Sequence, residues 1–350
     1  MRFQNLALVE SATQLINTTE WALDSGAVAT TSIVVLAPTD TESVRQIHGV
    51  AAAARDSGLS VVVLPVRARR PGAPFLAARV LSTVAQAQRL VIGDPFSRYI
   101  HALLPTARAG NVVIVDDGTA TWDYAACIES GAPLVRWTRA SATARPHAVR
   151  ATRLLTPGPR RSIDVFTCLR DATPVGAVGL ANRYRWVRSQ HRPDVVDDQI
   201  DLLGASLVDT NVVDRHAYLN AVAAVAAGPR PVRYLAHRRE ADHLVQEIAT
   251  IDNLRVVRPD RPVEMLLRRG PVARRVIAFP STAAHTLPNV LSDLDVELTV
   301  IPIKAGWFTP TATVRARSFV ARIARDVPVP VRARHDPQAL EDCVALTRDR

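Results

Sequence analysis

Asp116 and Asp117 stand side by side, followed by Gly118, directly after the apolar run Val112-Val113-Ile114-Val115. Adjacent carboxylates repel, so one is pushed toward a higher pKa or is held by a donor. A carboxylate in that state suits a general base that takes a proton from a hydroxyl. Gly118 permits a turn that a residue with a Cβ follows poorly. The same tripeptide also makes an ordinary Asp-Gly turn. His237-Arg238-Arg239 follows a second expected strand, Val232–Leu235, and comes just before a helix expected from Glu240. Cationic groups near a helix start are placed to hold a phosphate, or they form a solvated basic loop. Ser281-Thr282 comes after Val276–Ala278 and before another expected helix. Hydroxyls and free N–H groups at a helix start make a phosphate cradle; a single N-cap serine is the plainer alternative. Glu264, in Pro262-Val263-Glu264, can accept hydrogen bonds from a ribose diol or simply favour a helix N-terminus by charge. His285 lies one turn beyond Thr282, either at the same site or buried in the helix.

All these residues follow short expected strands, and those strands alternate with helical patterns. In the first half the strands are expected at Leu6–Val9, Ile33–Leu36, Val61–Leu64, Leu90–Ile92 and Val112–Val115. Helices are expected over Ala12–Leu23, from the Thr39-Asp40-Thr41 cap to Gly58, over Ala73–Ala87 and near Tyr99–Leu104. Continuously apolar strands interleaved with helices indicate a parallel sheet covered on both faces. The stretch from Trp137 to Arg161 is rich in Arg, Ala, Thr and Pro and reads as a connection between domains. Beyond it, strands are expected at Val165–Cys168, Ile200–Leu203, Val232–Leu235, Arg255–Val257, Val276–Ala278 and Glu297–Ile301. Helices are expected over Asp214–Ala226, Glu240–Ile248, Val263–Leu267 and Ala283–Leu291, with one more over Gln338–Arg350.

A length of 350 residues favours two domains, expected as 1–155 and 156–350. Lys and Arg total 43 against 33 Asp and Glu, a net charge of +10. That excess biases the surface toward phosphate, carboxylate or an anionic membrane face, or reflects an Arg-rich composition alone. The three cysteines, Cys127, Cys168 and Cys343, show no CxxC spacing, which argues against a disulfide framework or a zinc site. Residues Met1–Asn5 lack the apolar core of a signal peptide, and no run reaches the ~18 apolar residues of a membrane span. A cytoplasmic protein is expected. The arginines are scattered, with no helix-turn-helix or RNP signal, which disfavours nucleic acid as partner. The five tryptophans show no stacking pattern.

Taken in order, Asp-Asp-Gly, a strand–His turn, Pro-Val-Glu and Ser-Thr before a helix resemble the bacterial sialyltransferases, above all the lipooligosaccharide sialyltransferases and capsule polysialyltransferases. Val9-Glu10-Ser11-Ala12-Thr13-Gln14-Leu15-Ile16-Asn17 and Gly93-Asp94 add to the likeness, which spans Leu6 to Ile301. The resemblance implies an α/β GT-B fold: two Rossmann-like domains with mainly parallel sheets facing across a cleft, acceptor side first and CMP-sugar side second. It implies an inverting transfer of sialic acid, or a related acidic sugar, from a CMP-sugar donor to a glycan hydroxyl, without metal or cofactor. Asp116, the favoured carboxylate, or Asp117 would be the base. His237 would contact the CMP phosphate, Glu264 the ribose, Ser281 and Thr282 the phosphate, with Gln14 and Gly118 lining the cleft. Arg238 stands where those families have proline and would share the phosphate contact. Peripheral association with the inner membrane face and a homodimer are compatible with such a family. A UDP- or GDP-sugar enzyme of the same fold, or a degenerate nucleotide-sugar-binding protein, is the alternative.

Overall fold

The computed structural model describes residues 4–67, 73–136 and 146–325. It contains two compact units, Met1–Trp186 and Val187–Arg350.

In the first unit the strands are β1 (Asn5–Val9), β2 (Thr31–Leu36), β3 (Ser60–Leu64), β4 (Arg89–Ile92), β5 (Asn111–Val115), β6 (Ser162–Thr167) and β7 (Val178–Ala181). They form one parallel sheet in the order β3-β2-β1-β4-β5-β6-β7. Helices α1 (Ala12–Asp24), α2 (Thr41–Asp56), α3 (Ala73–Gln86), α4 (Arg98–Leu103), α5 (Ala120–Ser130) and α6 (Pro146–Leu154) connect them. β1 is buried along its whole length, with Ala7 and Val9 at 0% exposure. Burial on both faces is why its sequence is continuously apolar rather than alternating. Three helix starts among the described residues of this unit carry side-chain caps: Ser11 accepts from the Gln14 N–H, Asp40 from the Ser43 N–H, and Ser97 from the Tyr99 and Ile100 N–H groups.

The second unit repeats the plan with β8 (Val195–Leu203), β9 (Val232–Leu235), β10 (Leu254–Val257), β11 (Val272–Ala278) and β12 (Glu297–Val300), parallel in the order β10-β9-β8-β11-β12. α7 (Arg185–Gln190) enters this unit. α8 (Arg215–Ala226), α9 (Asp242–Ile248), α10 (Val263–Arg269), α11 (Ala283–Val290) and α12 (Val314–Arg325) follow. Among the described residues no helix is long and apolar enough to cross a membrane. The helix expected over Gln338–Arg350 lies outside the described residues, as do Trp137 and Cys343.

The division between units falls later than the 155/156 boundary read from composition. The strand read at Val165–Cys168 does not open the second sheet. As β6 it pairs with β5 from Asn111↔Ser162 to Val115↔Phe166, and β7 extends the same sheet. Part of the Arg- and Pro-rich stretch is α6, which leads the chain back to that sheet. In each sheet the strand order reverses once, between β1 and β4 and between β8 and β11. Parallel α/β sheets bind ligands outside the carboxyl ends of the strands at such points. There the first unit carries Glu10 and Gly93, and the second carries Gly204 and Phe279.

Candidate active site

In the first unit, the two carboxylates after β5 have opposite surroundings. The Asp116 N–H still donates to Phe166 O at 3.0 Å, continuing the β5–β6 ladder, and its side chain turns into the core at 0% exposure. There it accepts from Thr121 Oγ1 at 2.7 Å and Thr167 Oγ1 at 2.8 Å, while its carbonyl accepts from Asn17 Nδ2 at 2.7 Å. Burial raises its pKa, and the threonine hydroxyls partly oppose that. Asp116 therefore ties α1, α5 and β6 to the end of β5, and the base expected there is not presented to a ligand.

Asp117 points the other way and keeps 16% of its side chain exposed. It accepts from Gln14 Nε2 at 2.7 Å and from Arg136 Nη2 at 3.1 Å. The same Nη2 lies 2.7 Å from Asp94 Oδ2. Burial and the neighbouring Asp94 charge push Asp117 up to about 7, against the pull of Arg136 and Gln14. It is thus poised to exchange a proton near neutrality. Gln14 is fixed in turn, because its Oε1 accepts from the Glu10 N–H at 2.7 Å, leaving Nε2 to donate. Gly93 makes this possible: a Cβ there would lie 2.5 Å from Gln14 Oε1. Gly118 adopts φ +64°, the left-handed turn that leads into α5.

A cavity of about 350 Å³ opens in the same unit, with Glu10, Asp94, Ser97 and Arg136 in its wall. Glu10 accepts from Ser97 Oγ and Arg67 Nη2. Sequence reasoning quoted Glu10 and Asp94 only within motifs and missed Arg136, which lies 42 residues from Asp94. No spacing signal links positions so far apart.

In the second unit His237 follows β9 as expected, in a turn shaped by Glu240. The Glu240 carboxylate is buried at 3% exposure. It accepts from the His237 N–H at 2.6 Å, Tyr234 Oη at 2.6 Å and Tyr218 Oη at 2.9 Å. That turned-back side chain is why α9 begins at Asp242 and not at Glu240. Burial pushes Glu240 up to about 7. Gly204, at the end of β8, lets the group close: a Cβ there would lie 2.4 Å from Tyr234 Oη and 2.6 Å from Glu240 Oε2. His237 is lowered to about 4 by burial and by Arg238 and Arg239, so its ring is neutral at physiological pH.

Glu264 lies in the first turn of α10, 6% exposed, and accepts from Thr286 Oγ1 on α11 at 2.7 Å. Its pKa is raised by burial, with the Arg238 charge among the influences that lower it. Ser281 and Thr282 are half-buried at the start of α11, and the Thr282 side chain makes no cap to that helix. Glu264, Arg238 and the α11 start are therefore linked within this unit. His285 is buried in α11 at 5% exposure.

No protein-family model and no curated protein sequence matches the chain. Among solved structures it is similar to an α/β-galactoside α-2,3-sialyltransferase from Photobacterium phosphoreum, at TM-score 0.52 and 9% identity over 96% of this chain and 100% of that one. An Escherichia coli heptosyltransferase, WaaC, aligns at TM-score 0.43 and 12% identity over 91% and 99% of the two chains. Os79 from O. sativa aligns at TM-score 0.48 and 12% identity over 99% and 94%. Two Rossmann-like units with wholly parallel sheets, matched along nearly the entire sialyltransferase chain, identify the fold of this protein as GT-B.

Proposed function

We propose that the protein is an inverting glycosyltransferase that moves a sugar from a nucleotide-sugar donor to an acceptor hydroxyl, with Asp117 as general base. The observation that carries this is the Asp117 carboxylate: it sits at the end of β5, is oriented by Gln14 and Arg136, and is pushed up to about 7 by burial and by Asp94. Asp117 takes the acceptor proton as the hydroxyl oxygen bonds to the anomeric carbon and the bond to the nucleotide phosphate breaks. Asp116 is left a structural role, because its oxygens are occupied by Thr121 and Thr167 in the core.

The second unit holds the nucleotide in this scheme. Negative charge builds on the departing phosphate and is met by donors fixed in advance. Neutral His237 supplies a hydrogen bond, Arg238 supplies charge, and Ser281 and Thr282 supply hydroxyls and the N–H groups at the start of α11. Glu264 holds the ribose through its carboxylate. No metal is written into the scheme. The donor we assign is CMP-sialic acid or a related CMP-activated acidic sugar. The order of the Asp-Asp-Gly, His, Glu and Ser-Thr segments supports that choice, as does likeness over 96% of the chain to a sialyltransferase.

Thermal unfolding with CMP, UDP and GDP tests the donor class. A nucleotide at 100 times its Kd stabilises the native state by about 2.7 kcal/mol. The expected result is a rise with CMP alone, followed by CMP release from CMP-sialic acid. A rise with UDP or GDP alone would keep the transferase and refute the donor. No rise with any of the three would refute the function.

A further inference from the structure

The cavity of the first unit has an uneven stock of hydrogen-bonding groups. Its carboxylates are already engaged. Glu10 accepts from Ser97 through Oε1 and from Arg67 through Oε2. Asp94 accepts from the Phe96 N–H at 2.8 Å through Oδ1 and from Arg136 through Oδ2. The donors are not used up. Arg98 is exposed at the cavity wall and makes no hydrogen bond or ion pair among the described residues. Among the described residues Arg136 spends only Nη2, on Asp94 and Asp117, which leaves Nη1 and Nε for a ligand. What the cavity still offers is therefore mostly donors on cations, and these select an anionic oxygen.

A further feature fits a sugar as the carrier of that anion. Tyr99, 39% exposed, and Phe96 give the wall aromatic surface, on which the apolar face of a sugar ring packs. His101 also lines the cavity. Its Nε2 lies 2.8 Å from Pro95 O, and a carbonyl only accepts, so Nε2 carries the hydrogen. Burial lowers its pKa, and Nδ1 is buried without a partner among the described residues. A volume of about 350 Å³ lies within the range of small-molecule sites.

We propose that this cavity receives the acceptor and selects a sugar bearing a carboxylate or a phosphate ester, with Arg98 as the specificity-determining residue. That the ligand is the acceptor rests on the transferase function proposed above; that it is an acidic sugar rests on the cavity alone. Because Arg136 Nη2 bonds Asp117 while its other nitrogens remain open, an anion held there lies one guanidinium group away from the proposed base.

Calorimetric titration of the full chain with glucuronate, glucose 6-phosphate, glucose and inorganic phosphate tests this without a donor. The two acidic sugars separate the carboxylate from the phosphate ester, and a preference for either supports the proposal. The expected result is binding of at least one of them about tenfold tighter than both glucose and inorganic phosphate, on the strength of one charge-assisted hydrogen bond. Arg98→Gln removes that margin at unchanged melting temperature, and Arg98→Lys restores part of it. Equal binding of glucose, a margin that survives Arg98→Gln, or inorganic phosphate binding as tightly as the sugar phosphate would each overturn the proposal. CMP binding is measured separately: its absence would sink the transferase and leave an acidic-sugar preference standing.

Discussion

Replacing Asp94 by Asn changes one charge beside Asp117 and almost no volume. The Asn Oδ1 still accepts from the Phe96 N–H, the bond that holds this turn now. Asp94 Oδ2 and Asp117 Oδ2 share Arg136 Nη2, at 2.7 and 3.1 Å, so the two oxygens stand at most about 6 Å apart. At that separation and an effective dielectric of ~20, their repulsion amounts to roughly 3 kcal/mol. Screening by the intervening guanidinium reduces this, and about 1.4 kcal/mol corresponds to one pH unit. Asp117 begins at about 7. The base must be ionised to act, so activity falls as pH drops through that value. Without Asp94, ionised Asp117 meets less repulsion and has Arg136 to itself, and both effects lower its pKa. The acid limb of kcat/KM, which reports the free enzyme, then moves down by about one to two pH units. The assay is a pH profile of nucleotide release for wild type and Asp94→Asn from about pH 5 to 9. An acid limb that stays in place or moves up would show that Asp117 does not set it.

Asp116→Ala acts on stability: the Thr121 and Thr167 hydroxyls lose their acceptor in the core, and thermal or urea melts should show a loss of about 1–3 kcal/mol. Gly204→Ala places a methyl group against Tyr234 and Glu240 and is expected to cost about 1–3 kcal/mol by the same measurement. His237→Ala weakens CMP binding, and because the ring is neutral the ratio of wild-type to variant affinity stays constant from about pH 5.5 to 8; a ratio that collapses as pH rises through this range would indicate a charged imidazole.

The strands were legible wherever both faces are covered. β1, β2, β4 and β5 are short apolar runs because helices bury both sides. β7 was not legible: its four residues are all exposed at the sheet edge, so burial imposes no pattern on Val178–Ala181. β6 was legible as a strand but not in its membership, since an apolar run does not state which neighbour it pairs with. The Asp-Asp-Gly segment announced two carboxylates at a strand end. Which of them faces solvent follows from side-chain alternation along the chain and from the positions of Thr121 and Thr167, and so became visible only with the fold. Arg136 joins Asp94 and Asp117 across 42 and 19 residues: β4 and β5 are neighbours in the sheet, and the segment after α5 brings Arg136 to their ends. Glu240 was read as a helix start, whereas its real partners, Tyr218 and Tyr234, are brought to it by α8 and β9.

Turnover of Asp117→Asn at saturating CMP-sialic acid and acceptor, at about pH 8, where the wild-type carboxylate is ionised, tests the assignment of the base most directly. We expect kcat lower by about 10²–10⁴-fold with CMP affinity unchanged. A variant turning over within about threefold of wild type would contradict a role for Asp117 in proton transfer.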